Sequence, residues 1–559
     1  MIYRRPKKLD RFNELNADEI LLDLHNSPKF DSKSLEGRVT LPIEKRTLTI
    51  ISYAITAFFL VFLSRLVYLQ IIRHDLYAQK SDQNSLDHIP VFADRGIIYD
   101  RNAIELAWNN ADETTGEAIR SYIKIPGFAS ILGYVSYPAK DSRGRFYQTS
   151  IIGKDGVEKD FDAQLQGVNG TTLIETNVEG TILSQSMLEA PTQGENLTLA
   201  VDAHVQEVLY KGITDLMKSA DFRGGAGVVM DIATGELLAI TSAPEFDPEV
   251  LSSGKDVEKI NAYMHDSARP FLNRALNGLY TPGSIVKPFF AMAALNEHLV
   301  TPNTIIVSTG SISVPNPYNK TAVTTFKDNA VHGPVNIMQA LAVSSNIYFY
   351  EIGGGYGAQK GLGIDKLGSY AKLFGIGEKT GINLSGELEG NVPSVTWKAK
   401  KFPGDAWRIG DTYNTAIGQY GFQVTPIQMV RAIGAIASKG TLVTPSITKV
   451  VTPITTTIGL QEQDFATVQQ GMRMSVTEGT TTALNIPQIH VAAKSGTAQI
   501  KNNTRVNSWA IGFFPYEHPK YAFAVLMEDG PKITTSAVHA FRPVLDYFVA
   551  HPELIGPQL

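Results

Sequence analysis

Three short motifs could do chemistry together: Ser284-Ile-Val-Lys287, Ser344-Ser345-Asn346 and Lys494-Ser495-Gly496-Thr497. A serine hydroxyl is a poor nucleophile near neutral pH. Lys287 can take its proton only if burial beside another cation depresses the lysine pKa, and Lys494 is the candidate second cation. Ser344 can relay a proton between Lys287 and a leaving amine, and Asn346 can hold Lys287 and a substrate amide by hydrogen bonds. Gly496 is expected to let a substrate lie close against its strand. The set reads as a serine acyl-transfer site. Sixty residues separate Ser284 from Ser344 and 150 more lead to Lys494, so several hundred residues of fold must gather the pieces.

Ser-x-x-Lys alone is weak, since it recurs at Ser121, Ser252, Ser369 and Ser446. Context separates Ser284 from these. Pro282-Gly283 is a turn signal and the stretch to Asn296 is largely apolar, which predicts a helix opening at Ser284. A helix N-terminus offers unpaired amides and partial positive charge to a developing anion. Lys287, at i+3, faces the same side as the serine, and Pro288 falls near the end of the first turn, where it costs little. Leu197 to Asp202 reads as a strand leading into an amphipathic helix near Ala203. Gly227–Asp231 and Leu237–Ile240 bracket Ile232 to Glu236 as a hairpin. Helical stretches are expected at 285–297, 336–352 and 426–438, then strands at 489–500, 507–514 and 521–527. Strands at both ends around a helical middle predict an α+β domain, an antiparallel sheet covered by helices.

With 43% hydrophobic and 19% charged residues the composition is that of a globular protein large enough for two or three domains. A net charge of −5 gives no electrostatic reason to propose nucleic acid as a partner. The absence of cysteine rules out disulfides and thiolate chemistry. Thr47 to Ser64 is uncharged and mostly apolar, and the pattern resumes after Arg65, giving an anchor helix over 47–72. Eighteen helical residues cover roughly 27 Å against a hydrocarbon core of about 30 Å. A buried core helix or a cleaved signal peptide are the alternatives, but no small-residue cleavage site follows the run. Lys33, Arg38, Lys45 and Arg46 precede it and Arg65, Arg73 and Lys80 follow, a bias favouring the N-terminus inside. Residues 1–46, with ten basic and eight acidic side chains, read as a partly disordered cytoplasmic tail. The 73–196 region is polar and turn-rich, with strand-like pieces at 96–99 and 130–135 and no catalytic cluster. It reads as a mostly β, non-catalytic pedestal before a catalytic domain over 197–559.

The ordered motifs resemble those of class B penicillin-binding proteins, membrane-anchored DD-transpeptidases of bacterial cell-wall synthesis. Arg95-Gly96-Ile97-Ile98-Tyr99-Asp100-Arg101 and Gly156-Val157-Glu158-Lys159 resemble the family's pedestal signatures. Asn273-Arg274-Ala275, Tyr280 to Ser284, and Thr380-Gly381-Ile382 leading to Gly386-Glu387 also match. Trp407 with Gly410-Asp411, Ile417-Gly418-Gln419 and Thr425-Pro426-Ile427-Gln428 resemble the elongation-type penicillin-binding protein 2. Departures are Asn346 where many such members have aspartate, Tyr420 where glycine is usual, Ser495 where threonine is commoner, and a short pedestal.

The resemblance implies that Ser284 attacks a peptidoglycan stem peptide at D-Ala-D-Ala and that β-lactams acylate the same serine. Lys287 would be the base, with Ser344 and Asn346 assisting. Lys494, Ser495 and Thr497 would hold the terminal carboxylate, and the amides of Ser284 and Thr497 would form the oxyanion hole. It implies no metal or organic cofactor, a SEDS-family glycan polymerase as partner, and scaffold proteins of the elongation machinery. The alternatives are a division-type (septal) enzyme, a non-turnover scaffold or β-lactam sensor, and a β-lactamase-like hydrolase, the last suggested by Glu387-Leu-Glu-Gly-Asn391.

Overall fold

The computed structural model describes residues 45–77, 87–111, 118–142, 146–176, 182–316, 319–501, 503–532 and 535–556. The expected cytoplasmic tail lies outside them except for Lys45 and Arg46. The chain forms two compact units, one of Met1–Asp87 with Ile174–Ser184 and one of His88–Leu173 with Gln185–Leu559.

In the first unit a helix runs from Lys45 to Ile72, 28 residues with no buried side chain. Its last turn, Tyr68–Ile72, is a π-turn. At about 42 Å it is long enough to cross a hydrocarbon core of about 30 Å with its C-terminal turns left over. There Arg65 lies 5.3 Å from the centroid of the Tyr68 ring, and Arg73 Nε donates to the Tyr68 hydroxyl at 3.0 Å. Such aromatic and cationic groups suit a membrane boundary.

The second unit is organised on a five-stranded antiparallel sheet. Its strands are β1 (Gly224–Asp231), β2 (Leu237–Ala243), β3 (Ala492–Ile500), β4 (Arg505–Phe514) and β5 (Tyr521–Gly530), in the order β2-β1-β5-β4-β3. β5 is buried along its whole length and β1 and β4 along all but one end residue, because helices cover both faces. Helices α1 (Ala203–Ala220) and α6 (Ala537–Ala550) pack against each other and one face, sharing a core of Leu209, Ile213, Phe523, Phe541 and Leu545. Helix α5 (Pro426–Ala437) packs on β1, β4 and β5 and is buried almost all round. Its Thr425-Pro426-Ile-Gln428 start is a capping box with proline in the first turn. The hairpin and the three late strands therefore form where the sequence places them.

Two expectations need correction. The stretch 130–135 is not a strand: Ala129–Leu132 is a helical turn, and only Val135–Ser136 is extended. Gly133 ends the turn at φ +74°, where a Cβ would come within 1.8 Å of the Asp155 carbonyl oxygen; a local glycine stop overrides the β propensity of Ile131. The helix expected over 336–352 is two, α3 (Ile337–Ala342) and α4 (Asn346–Gly354). Between them Ser344 takes φ +59°, a conformation no α-helix contains.

The two pedestal signatures meet in one buried ion cluster. Glu158 accepts Arg95 Nε at 2.5 Å and Arg120 Nε at 2.7 Å, with all three side chains at most 1% exposed. Asp162 balances the second positive charge, 2.7 Å from Arg95 Nη1. Ile98–Tyr99 pairs in parallel with Leu197–Thr198, so the expected start of the catalytic domain shares a sheet with the pedestal. The Asp100 carboxylate accepts from the Ala203 amide at the start of α1.

Candidate active site

Ser284 lies in a single 3-10 turn, Gly283–Val286, that runs directly into α2 (Lys287–Asn296). The refinement matters because residues three apart eclipse in a 3-10 turn, which aligns Ser284 with Lys287. Pro288 falls in the first turn of α2, where no helical hydrogen bond is lost. The preceding turn is fixed from two sides. Trp509 Nε1 on β4 donates to the Thr281 carbonyl at 3.0 Å, and the Gly283 amide donates to the Gly418 carbonyl at 2.9 Å. Gly418 has φ +74°, and a Cβ there would come within 2.1 Å of the Gly283 carbonyl oxygen. Ile417-Gly418-Gln419 thus carries the close approach that seats the serine turn.

Ser284 is half-buried and Lys287 fully buried. Lys287 Nζ donates to the Ser344 carbonyl at 2.8 Å and to Asn346 Oδ1 at 2.8 Å, and lies 3.3 Å from Ser344 Oγ. The left-handed Ser344 turns its own carbonyl and hydroxyl onto one ammonium. Burial pushes Lys287 well below its ordinary pKa, the nearby Lys494 charge pushes the same way, and Asp328 opposes them. Burial also lowers Lys494, from 10.5 to about 7. The first two motifs therefore meet through Lys287, and the third reaches it through Lys494.

Strand β3 is an edge of the sheet. Lys494, Gly496 and Ala498 on it are buried, while Ser495, Thr497 and Gln499 are wholly or partly exposed, the alternation of a half-covered strand. Ser495 Oγ donates to Thr480 Oγ1 at 2.7 Å, and Lys494 Nζ to the Ser495 carbonyl at 2.8 Å. Gly496 has a packing reason besides the one expected. Its missing Cβ would sit 2.8 Å from both the Pro282 carbonyl oxygen and Ile285 Cγ2, so the glycine makes room for the serine-bearing turn. Strand period 2 could have found this, because Gly496 shares its face with Lys494.

Sequence reasoning missed Asp328, whose carboxylate accepts the amides of Asn346 and Ile347 and the Ser345 hydroxyl. No spacing rule flags an aspartate in a polar turn sixteen residues before Ser344. Glu387 and Asn391, which suggested a hydrolase, are occupied elsewhere. Glu387 accepts the amides of Thr380 and Gly381, and Asn391 Nδ2 donates to the Gly421 carbonyl. A cavity of about 550 Å³ lined by Phe92, Ile119, Tyr137 and Val250 carries no residue of the three motifs.

The five-stranded sheet covered by helices, with a buried lysine pair near the serine-bearing turn at its edge, has the fold of a penicillin-binding transpeptidase domain. The penicillin-binding protein transpeptidase domain model matches residues 225–546, and the penicillin-binding protein dimerisation domain model matches residues 112–199. The chain is 28% identical to the peptidoglycan D,D-transpeptidase MrdA of Acinetobacter baumannii, over 88% of this chain and 85% of that protein. It is 30% identical to MrdA of Haemophilus influenzae, over 77% and 69%. Identity to the peptidoglycan D,D-transpeptidase FtsI of Escherichia coli is 24%, over 84% of each chain. PBP2 in the complex with MreC from Helicobacter pylori superposes with a TM-score of 0.68 at 26% identity, covering 85% of this chain and 99% of that one. A chain of a peptidoglycan synthase complex that coordinates polymerization and crosslinking gives 0.71 at 25% identity, covering 92% and 99%. The chain belongs to the class B penicillin-binding proteins, in the elongation-type group.

Proposed function

We propose that Ser284 is the acyl-carrying nucleophile of a peptidoglycan D,D-transpeptidase that cross-links stem peptides during cell elongation. The observation that carries this reading is the buried, pKa-depressed Lys287 held at 2.8 Å by both the Ser344 carbonyl and Asn346 Oδ1. As a free amine, Lys287 has two N–H groups for those two acceptors and one lone pair left over. The lone pair takes the Ser284 proton as Oγ attacks the carbonyl of the penultimate D-alanine. Ser344 Oγ then passes the proton to the departing D-alanine nitrogen, leaving an ester on Ser284. The amine of a second stem attacks this ester, gives up a proton along the same path, and frees Ser284.

Lys494, Ser495 and Thr497 hold the terminal carboxylate in this scheme, and Ser284 and Thr497 amides stabilise the oxyanion. A bound carboxylate would favour the charged form of Lys494, whose pKa of about 7 leaves it free to respond. The apolar helix Lys45–Ile72 anchors the chain with its N-terminus inside and the catalytic domain outside the cytoplasmic membrane. By analogy with PBP2 in its complex with MreC and with the synthase complex, partners would be a scaffold protein and a SEDS-family glycan polymerase. Labelling of the full-length protein with a fluorescent penicillin tests the nucleophile. Wild type should be labelled covalently and Ser284→Ala should not; label surviving the substitution would reassign the serine.

A further inference from the structure

We propose that Asp328 is a positioning residue of the acyl-transfer centre: from beneath the second motif it fixes the turn that grips Lys287 and supplies the opposing negative charge. The inference rests on the reading of Ser284 and Lys287 above.

The Asp328 side chain has no exposed surface, yet it forms no ion pair with lysine or arginine among the described residues. A buried carboxylate without such a partner is costly unless hydrogen bonds replace its water. Here they do. Oδ1 accepts the Asn346 amide at 2.5 Å and the Asn329 amide at 2.8 Å. Oδ2 accepts Ser345 Oγ at 2.7 Å, Ser308 Oγ at 2.8 Å and the Ile347 amide at 3.2 Å. These bonds keep the carboxyl below its ordinary pKa despite burial, so it is ionised.

Three of the five donors belong to Ser345, Asn346 and Ile347, the residues that follow the left-handed Ser344. A non-glycine residue in that conformation persists only where its surroundings determine it. Asp328 does so by holding the first amides of α4, a helix start where negative charge is favoured. The same turn presents the Ser344 carbonyl and Asn346 Oδ1 to Lys287. Asp328 is thus one residue removed from the base.

The charges around Lys287 are few. Lys494 faces it from β3 and Asp328 from below the second motif, and the Phe349 ring of α4 lies 5.3 Å away. His332 Nε2 is 4.0 Å from Asp328 Oδ1 and meets Asn329 Oδ1 at 2.7 Å. With an amide at position 346, Asp328 is the carboxylate that opposes, at Lys287, the push of the Lys494 charge.

The test measures the second-order rate of acylation by a fluorescent penicillin against pH for full-length protein in detergent, comparing wild type, Asp328→Asn, Asp328→Glu and Ser284→Ala. Asp328→Asn removes the charge and turns a donor towards groups that themselves donate. Its optimum rate should fall about tenfold or more, and the acid limb of its profile should move to lower pH, because Lys287 loses a stabilising charge. Asp328→Glu should slow acylation while leaving the limb where it is in wild type. A purely structural residue would lower the rate of both variants without moving either limb, and that result overturns the proposal. So does a wild-type rate and profile in Asp328→Asn, or failure of both variants to fold. Label on Ser284→Ala would instead overturn the nucleophile assignment.

Discussion

Gly496→Ala adds one methyl group at the point where β3 meets the serine-bearing turn. The new Cβ would lie 2.8 Å from the Pro282 carbonyl oxygen, 2.8 Å from Ile285 Cγ2 and 3.2 Å from the Ile285 amide nitrogen. Non-bonded carbon contacts settle near about 3.5–4.0 Å, so turn and strand must separate by roughly 0.7 Å or more. Two of the three clashing atoms are backbone and cannot swing aside as a side chain would. A catalytic constellation tolerates about 0.5 Å of displacement, and a misplacement of about 1 Å costs on the order of 100-fold in rate. The rate constant for acylation should therefore fall about 10- to 100-fold, with a stability loss of about 1–3 kcal/mol for an overpacked contact. Ser495 and Thr497 lie on the opposite strand face and should bind as before. Time courses of penicillin labelling at several concentrations separate the acylation constant from the preceding affinity. An unchanged acylation constant with weakened affinity would refute the packing argument and restore a glycine that admits substrate.

The buried lysines predict how activity and stability depend on pH. Lys494 titrates near 7 when folded and near its ordinary 10.5 when unfolded, so between these values the unfolded chain binds the extra proton and stability rises with pH. Thermal unfolding should show that rise, and Lys494→Met should reduce its slope, leaving the part that Lys287 contributes. Acylation of wild type should decline on the acid side as Lys287 becomes protonated, and Lys287→Ala should abolish it. In the pedestal, Glu158→Gln leaves the buried Arg95 with Asp162 alone and the buried Arg120 with no carboxylate partner. Breaking such a buried pair costs about 3–5 kcal/mol, which a drop in melting temperature would register, whereas an unchanged melting temperature would contradict it.

The gathering of the three motifs into one candidate site was legible because it resides in residue type and order. Ser284, Lys287, Ser344, Asn346 and Lys494 are carried by short motifs, and the apolar strands and the Thr-Pro-x-Gln helix start carry their own local signals. What the sequence hides depends on tertiary approach. The break at Ser344 has no glycine or proline to announce it, since Lys287, Asp328 and the packing of α3 and α4 impose it. Gly496 and Gly418 look like loop or substrate glycines until the serine turn is placed against both. Asp328 acquires its role only when the 319–327 strand and the second motif come together, and Arg95 and Glu158 lie 63 residues apart in the chain.

Cross-link formation tests the central claim most directly. The full-length protein would be combined with a glycan polymerase and lipid-linked peptidoglycan precursor, and the digested products analysed by mass spectrometry. Wild type should release D-alanine and yield peptide-bridged dimers, and Ser284→Ala should yield only uncross-linked glycan. Release of D-alanine with shortened stems and no dimers would mean that water, rather than a second stem, resolves the acyl-enzyme, and would contradict a transpeptidase.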